Sequence, residues 1–171
     1  MCATTVQSRS TKPMPPIAVD LDRVDRAILR ALEIDASVSN VKLADKVNLS
    51  PPACLRRVER LKALGLIRRI VALLDPRALD AGTLVFIGVV LDRSTPESFA
   101  EFEKAVQKVP QCLECHVVTG EVDYFMLVRA KDNETYNRLH AEQLLYLPGV
   151  RQIRTFMVLK EVLSRTALSI A

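Results

Sequence analysis

At 171 residues the chain is long enough for one ordinary domain or two small ones. Apolar residues make up 49% and charged residues 26%, a globular mix that argues against disorder, and no apolar run reaches the ~20 residues of a membrane-crossing helix. The net charge of +4 is unevenly spread: residues 1–82 hold 14 basic and 9 acidic side chains, residues 83–171 hold 10 and 11. A basic half joined to a neutral one suggests a polyanion-binding module fused to something else.

Residues 1–20 are polar, with Ser, Thr, Pro13, Pro15 and Pro16, and read as a flexible arm rather than a secretory signal. A cytoplasmic protein with no membrane partner is the expectation. From Leu21 the pattern is helical: Leu21, Val24, Ile28, Leu29 and Leu32 recur at spacings of three and four, behind Asp20 or Asp22. A shorter helix runs from about Asn40 to Val47, opened by Ser39 and burying Val41, Ala44 and Val47 or Leu43. After the tight link Asn48-Leu49, Ser50 is an N-cap candidate and Pro51 and Pro52 fit the first helical turn. Cys54, Val58, Leu61 and Leu64 form an apolar stripe, Ala53, Arg56, Arg57 and Arg60 another face, and Gly65 the stop.

Three helices with so short a second link match a helix-turn-helix, whose last helix enters the DNA major groove. The stretch 56–69 carries Arg56, Arg57, Arg60, Lys62, Arg68 and Arg69 against one acid, Glu59. Arginines on an exposed face pair with phosphates or fork onto guanine. Double-stranded DNA is thus the expected partner, with Asn40, Ser50, Pro51, Pro52, Ala53, Arg56, Arg57 and Arg60 as the contact set. Residues 66–74 then read as a linking strand, ended by Asp75-Pro76.

The second half alternates strand and helix. Residues 83–91 form a nearly continuous apolar strand; Thr95-Pro96-Glu97 opens a helix burying Phe99, Phe102, Val106 and Val109. Leu113, Cys115 and Val117 alternate with Glu114 and His116 as a half-buried strand. A turn at 120–123 leads to a strand over 124–130. Asp132 or Asn133 caps a helix with Tyr136, Leu139, His140, Leu144 and Leu147 inward, and a last strand covers 150–162. That order is a ferredoxin-like βαββαβ unit, so the expected class is α+β: an N-terminal helix-turn-helix over 21–66, a linker over 67–82, the ferredoxin-like domain over 83–162 and a tail over 163–171. Its helices cover one sheet face. The other, with few aromatics and many aliphatics, calls for a second copy of the chain, most simply a two-fold dimer.

Cys112-Leu113-Glu114-Cys115 spells C-x-x-C. Strand positions three apart point to opposite faces, and only His116 and His140 are available as further ligands, so neither redox nor metal use is expected. No catalytic constellation is legible and the chain is not expected to be an enzyme.

Several motifs together, Leu21-Asp22-Arg23-Val24-Asp25-Arg26-Ala27-Ile28-Leu29, Leu49-Ser50-Pro51 with Cys54-Leu55 and Arg57-Val58, Leu64-Gly65-Leu66-Ile67, Glu114-Cys115-His116, Gly120-Glu121-Val122-Asp123-Tyr124 and Leu147-Pro148-Gly149-Val150, resemble the Lrp/AsnC family of transcription regulators. The resemblance covers about residues 20–164. It implies a winged or wing-like helix-turn-helix reader, a dimer-forming domain that binds an amino acid (leucine or another small one), control of amino-acid metabolism genes, and assembly up to octamers. No cofactor is implied. It places the effector near Thr119, Gly120, Glu121, Asp123 and Tyr124, with Thr155 on the last strand supplying a hydroxyl. Asp123 would hold the ammonium group or shape the loop that does. Asn48 stands where the family often has Gly, and Asn tolerates left-handed backbone. The charges at Arg56 and Glu59 depart from the family pattern, so base preference is not carried over. The alternative reading is a DNA-bending architectural protein without a ligand response.

Overall fold

The computed structural model describes residues 20–165. The expected arm and most of the expected tail therefore lie outside the described residues. The chain divides at Leu73/Leu74 into a helical unit and a sheet unit.

In the helical unit, α1 (Arg23–Ile34) starts where the Asp22 carboxylate accepts the Asp25 N–H at 2.7 Å. Ser39 caps α2 (Asn40–Lys46) in the same way, through the Lys42 N–H. Helix α3 (Pro51–Ala63) follows a turn in which Asn48 takes a φ of +55°. Ser50 occupies the N-cap position of α3, but its hydroxyl makes no cap bond. A cap reaches for the second or third N–H of a helix; Pro52 removes the second, and the Ala53 N–H is not bonded by Ser50. Gly65, at a φ of +74°, ends α3, and the Leu66 N–H returns to the Leu61 carbonyl at 3.0 Å.

Ile28, Leu43, Ala44, Val47, Cys54 and Leu61 form the core of this unit. Val41, expected inside, is 57% exposed. Its place at the start of α2 turns it away from the face that carries Leu43, Ala44 and Val47. The strand expected over 66–74 does not form. Ile70, Val71, Leu73 and Leu74 are exposed, and β-propensity without a partner strand is not enough to make one.

The sheet unit carries β1 (Thr83–Leu91), α4 (Pro96–Val106), β2 (Cys112–Val117), β3 (Tyr124–Ala130), α5 (Asn133–Glu142) and β4 (Val150–Met157). The strands run in the order β2-β3-β1-β4, every neighbouring pair antiparallel, which is the ferredoxin-like arrangement. Thr95 and Asp132 cap the two helices through the Ser98 and Thr135 N–H groups. The last strand, expected to reach Val162, stops at Met157. Met157 already faces Val85 and the Val158 N–H bonds Leu84, so the chain beyond runs past the start of β1 without strand pairing, held instead by the Glu161 carboxylate on Arg129 at 3.1 Å.

Val85, Ile87 and Val89 of β1 and Tyr124, Met126 and Val128 of β3 pack beneath Phe102, Val106, Tyr136 and Leu139. The opposite face presents Phe86, Phe125 and Phe156, with Phe86 opposite Phe156 and Phe125 opposite Gly88. That face is richer in aromatics than the sequence suggested. Gly88 sits in a tight place: a Cβ there would lie 3.0 Å from Val122 Cγ1 and 3.6 Å from the Phe125 ring. Among the described residues no helix is long and apolar enough to cross a membrane.

Candidate functional site

Helical spacing places Pro52, Arg56, Glu59 and Ala63 on one face of α3, and all four are exposed. Ser50 and Pro51 are also exposed at its N-terminal end, while Ala53 is half-buried. Among the described residues Arg56, Arg68 and Arg69 form no ion pair. Glu59 is joined to Lys62 at 2.9 Å.

Arg57 and Arg60 are placed differently from the expectation of an outward basic face. Arg57 donates through Nη1 to Asp22 Oδ2 at 2.6 Å and to Asp25 Oδ1 at 2.8 Å. Arg60 donates to the other Asp25 oxygen at 2.9 Å. Both lie on the flank of α3 that meets α1, where their charge is paired although Arg57 stays half-buried and Arg60 exposed. The two carboxylates hold the Arg57 guanidinium above its ordinary pKa. Asp22 is lowered, first by the Asp25 backbone N–H and then by Arg57. Asn40 is also turned inward: its Nδ2 donates to the Pro51 carbonyl at 2.8 Å, tying the first turn of α2 to the first turn of α3.

Asp25, whose side chain keeps 2% of its accessible surface, was missed in the sequence. It had a signal. Leu21, Asp25, Ile28 and Leu32 follow one another at spacings of four, three and four, so the acid occupies a core position of an amphipathic helix. A buried carboxylate in such a place demands cationic partners.

The second group of candidates surrounds the turn between β2 and β3. Thr119, Gly120 and Glu121 are exposed, and Gly120 has a φ of +123°, a conformation side chains rarely adopt. Asp123 does not offer a free carboxylate: its Oδ2 accepts the Leu91 N–H at 2.8 Å, and its own N–H bonds Val89. It therefore shapes the loop, tying the turn to the end of β1. Glu121 instead reaches Arg154 on β4 in a salt bridge. Arg154 was missed because only the β1–β4 register, with Arg154 opposite Gly88, brings it beside the turn.

Tyr124 and Thr155 belong to the helix-covered side. Tyr124 is 1% exposed, donates its hydroxyl to Glu103 at 3.0 Å and packs against Phe99 and Phe102. Burial and the Glu103 carboxylate push its phenol upward. The Thr155 hydroxyl bonds that of Tyr136. Thus Thr119, Gly120, Glu121 and Asp123 share one turn, while Tyr124 and Thr155 face the interior of the unit. A cavity of about 310 Å³, lined by Gln111, Arg129 and Thr135, lies at the other end of the sheet and includes none of these candidates.

Cys112 and Cys115 correct a second expectation. A register shift between Cys112 and Glu114 inserts an extra residue, so Cys112 faces Val128 and Cys115 faces Met126, on the same side of the sheet. Both half-buried thiols join the apolar core. Burial pushes Cys112 up to about 11 and Cys115 up to about 12, far from the range of a nucleophilic thiolate. Among the described residues no group of three or more His, Cys, Asp or Glu is placed to hold a metal ion.

Two family models match the chain: an AsnC-type helix-turn-helix domain over residues 21–62 and an Lrp/AsnC ligand-binding domain over residues 84–168. The leucine-responsive regulatory proteins of Klebsiella pneumoniae and Escherichia coli K12 are each 48% identical over 143 residues, covering 84% of this chain and 87% of theirs. Among solved structures, a transcriptional regulator of Neisseria meningitidis in complex with L-Met aligns with a TM-score of 0.83 at 34% identity, over 87% of this chain and 96% of that one. An AsnC family regulator of Agrobacterium tumefaciens aligns at 0.82 and 30%, over 86% and 96%.

Proposed function

The chain belongs to the Lrp/AsnC family of transcriptional regulators, and on that premise we propose that it is a cytoplasmic DNA-binding regulator of amino-acid metabolism genes whose activity responds to an amino acid. It is a regulator, as its relatives are, and not an enzyme. The observation that carries the DNA half is the unit α2–Asn48–α3, whose second helix exposes its N-terminal end and Arg56 together. An exposed N-terminal end is the part of a recognition helix that meets base edges. Arg56 is the side chain we assign to guanine or phosphate, with Ser50, Pro51, Pro52 and Ala53 forming the surface that approaches the groove. Arg57, Arg60 and Asn40 support that surface from behind.

For the effector, the relatives named as leucine-responsive make leucine the first candidate, and the neighbour solved with L-Met makes methionine the second. An amino-acid zwitterion needs an anionic partner for its ammonium and a cationic one for its carboxylate. Glu121 and Arg154 supply both beside the permissive Gly120 backbone. They pair with each other, but Glu121 is exposed and can exchange that partner for an ammonium, whereas Asp123 is tied to the Leu91 backbone, so the ammonium falls to Glu121. The open phenylalanine face of the sheet is the surface we assign to a second copy, with dimers as the unit from which octamers are built.

Ligand and DNA then communicate by linkage: the amino acid alters regulation only as far as it binds one assembly state better than another. Footprinting across the chain's own promoter, with and without leucine and methionine, tests this directly. A protected site whose extent or affinity changes with one amino acid is expected. Protection indifferent to every amino acid, together with no thermal stabilisation by any of them, leaves the architectural reading in its place.

A further inference from the structure

We propose that Asp25 is a positioning residue for the DNA-reading helix: by binding Arg57 with one oxygen and Arg60 with the other, it sets the rotation of α3 and reserves both arginines from DNA. This rests on the reading of α3 as the recognition helix.

The geometry is specific. Asp22, the N-cap of α1, and Asp25 within it are one turn apart, and Arg57 and Arg60 are one turn apart on α3. Arg57 spans both acids while Arg60 takes the remaining Asp25 oxygen, at distances of 2.6 to 2.9 Å. One pair would let α3 roll about the contact. Two arginines on a single buried carboxylate, with a second acid behind, fix both its roll and its position along the axis. Successive helical residues are about 100° apart, so fixing Arg57 also fixes the direction in which Arg56 leaves the helix. Asp22 is held in turn by its cap bond to the Asp25 N–H, so the start of α1 and the aim of α3 are set by one network.

The arrangement also removes charge from the face. Arg57 and Arg60 are matched by Asp22 and Asp25, leaving Arg56, Arg68 and Arg69 as the unpaired cations of the 56–69 stretch among the described residues. A phosphate contact contributes about 0.9 to the slope of log K against log salt. A clamp residue contributes none.

The test measures affinity of the full chain for its selected site and for random DNA, from low to moderate salt, by fluorescence anisotropy. Arg56→Ala is expected to reduce the salt slope by about one and to leave the melting temperature unchanged. Arg57→Met and Asp25→Asn are expected to keep the slope but to lower the ratio of specific to random affinity roughly tenfold, because the surface is mis-aimed. Their double variant should be no worse than either alone. Arg57→Lys covers the case in which Asp25→Asn fails to fold: it retains the charge but not the fork, and loss of the specificity ratio at unchanged slope supports the clamp. A slope reduced by about one in Arg57→Met, with the specificity ratio intact, overturns it, as does an Arg57→Lys protein equal to wild type. A wild-type chain with no preference for any sequence refutes instead the reading of α3 as a recognition helix. The clamp is then judged on melting: a double variant Asp25→Asn/Arg57→Met that loses less than the sum of the two single losses supports it, and additive losses overturn it.

Discussion

The two units of this chain are held together by different physics. The sheet unit buries a continuous apolar cluster that runs from Val85 to Leu147 and includes Phe102, Tyr124 and Met126. The helical unit buries six apolar residues and, beside them, one carboxylate bound by two arginines. Apolar burial is non-directional and tolerates a range of shapes. An ion network is directional, and so it fixes angles. If α3 is aimed at DNA as proposed, the directional network is what suits that task, while the sheet unit rests on an apolar base.

The sharpest way to break this contrast is to remove the central aromatic of the larger core. Phe102 is fully buried and its ring lies 4.5 Å from that of Tyr124. Phe102→Ala is expected to destabilise the sheet unit by about 4 kcal/mol, read by denaturant titration of the near-UV tyrosine signal, since Tyr124, Tyr136 and Tyr146 all lie in that unit. The corresponding change in the helical unit is Asp25→Ala. Arg57 and Arg60 keep 31% and 48% of their side-chain surface, so solvent screens the loss. A cost of about 2–3 kcal/mol is expected, appearing as faster amide exchange in α1 and α3 with β1 unaffected. Equal acceleration in both units would erase the distinction.

A smaller effect falls at the end of α3. Nothing lies within 4 Å of a Cβ built on Gly65, so Gly65→Ala meets no clash, only the strain of its left-handed backbone. About 1 kcal/mol of thermal stability should be lost, whereas the same change at an ordinary helix position would gain.

The acid limb of stability tests the cap of α1. Asp22 is lowered in the folded state, so its contribution is present above the unfolded carboxylate value of 3.8 and is lost as pH falls through the folded one. Melting curves of α1 amides below pH 4 should therefore fall more steeply in the wild type than in Asp22→Asn. A parallel fall in the two proteins would show that Asp22 is not the titrating group. Least in energy but distinct in chemistry, Cys112 and Cys115 should resist alkylation at neutral pH, with labelling rising only as the solution approaches about 11 and about 12. Rapid labelling at pH 7 would place at least one thiol outside the core.

Most of the architecture was legible because it is encoded locally. The spacing of Ile28 and Leu32, the capping residues Asp22, Ser39, Thr95 and Asp132, the prolines at the head of α3 and the left-handed Asn48 and Gly65 each act within a few residues. What failed depended on partners distant in sequence. The stretch 66–74 has strand-forming side chains but no neighbouring strand, β4 ends where β1 begins, and one extra residue at Leu113 turned Cys112 and Cys115 to the same face.

The candidate sites divide the same way. Helical spacing alone identified Arg56 as an outward residue, but it could not distinguish Arg56 from Arg57 and Arg60, because the flank of α3 that meets α1 is set by packing. The turn at 120–123 was visible from its composition. Its use of Asp123 to hold Leu91, and the arrival of Arg154 beside Glu121, were not, since 32 and 33 residues separate those partners.

The sequence by itself determined the two-part organisation, the helix-turn-helix and the order of the sheet unit, because periodicity, caps and turns are short-range properties of the chain. Tertiary structure alone decided where the charge goes. The excess of positive residues before residue 83 is a sum over side chains, whereas electrostatic work depends on distance, and Asp22 and Asp25 neutralise two of those arginines from more than thirty residues away.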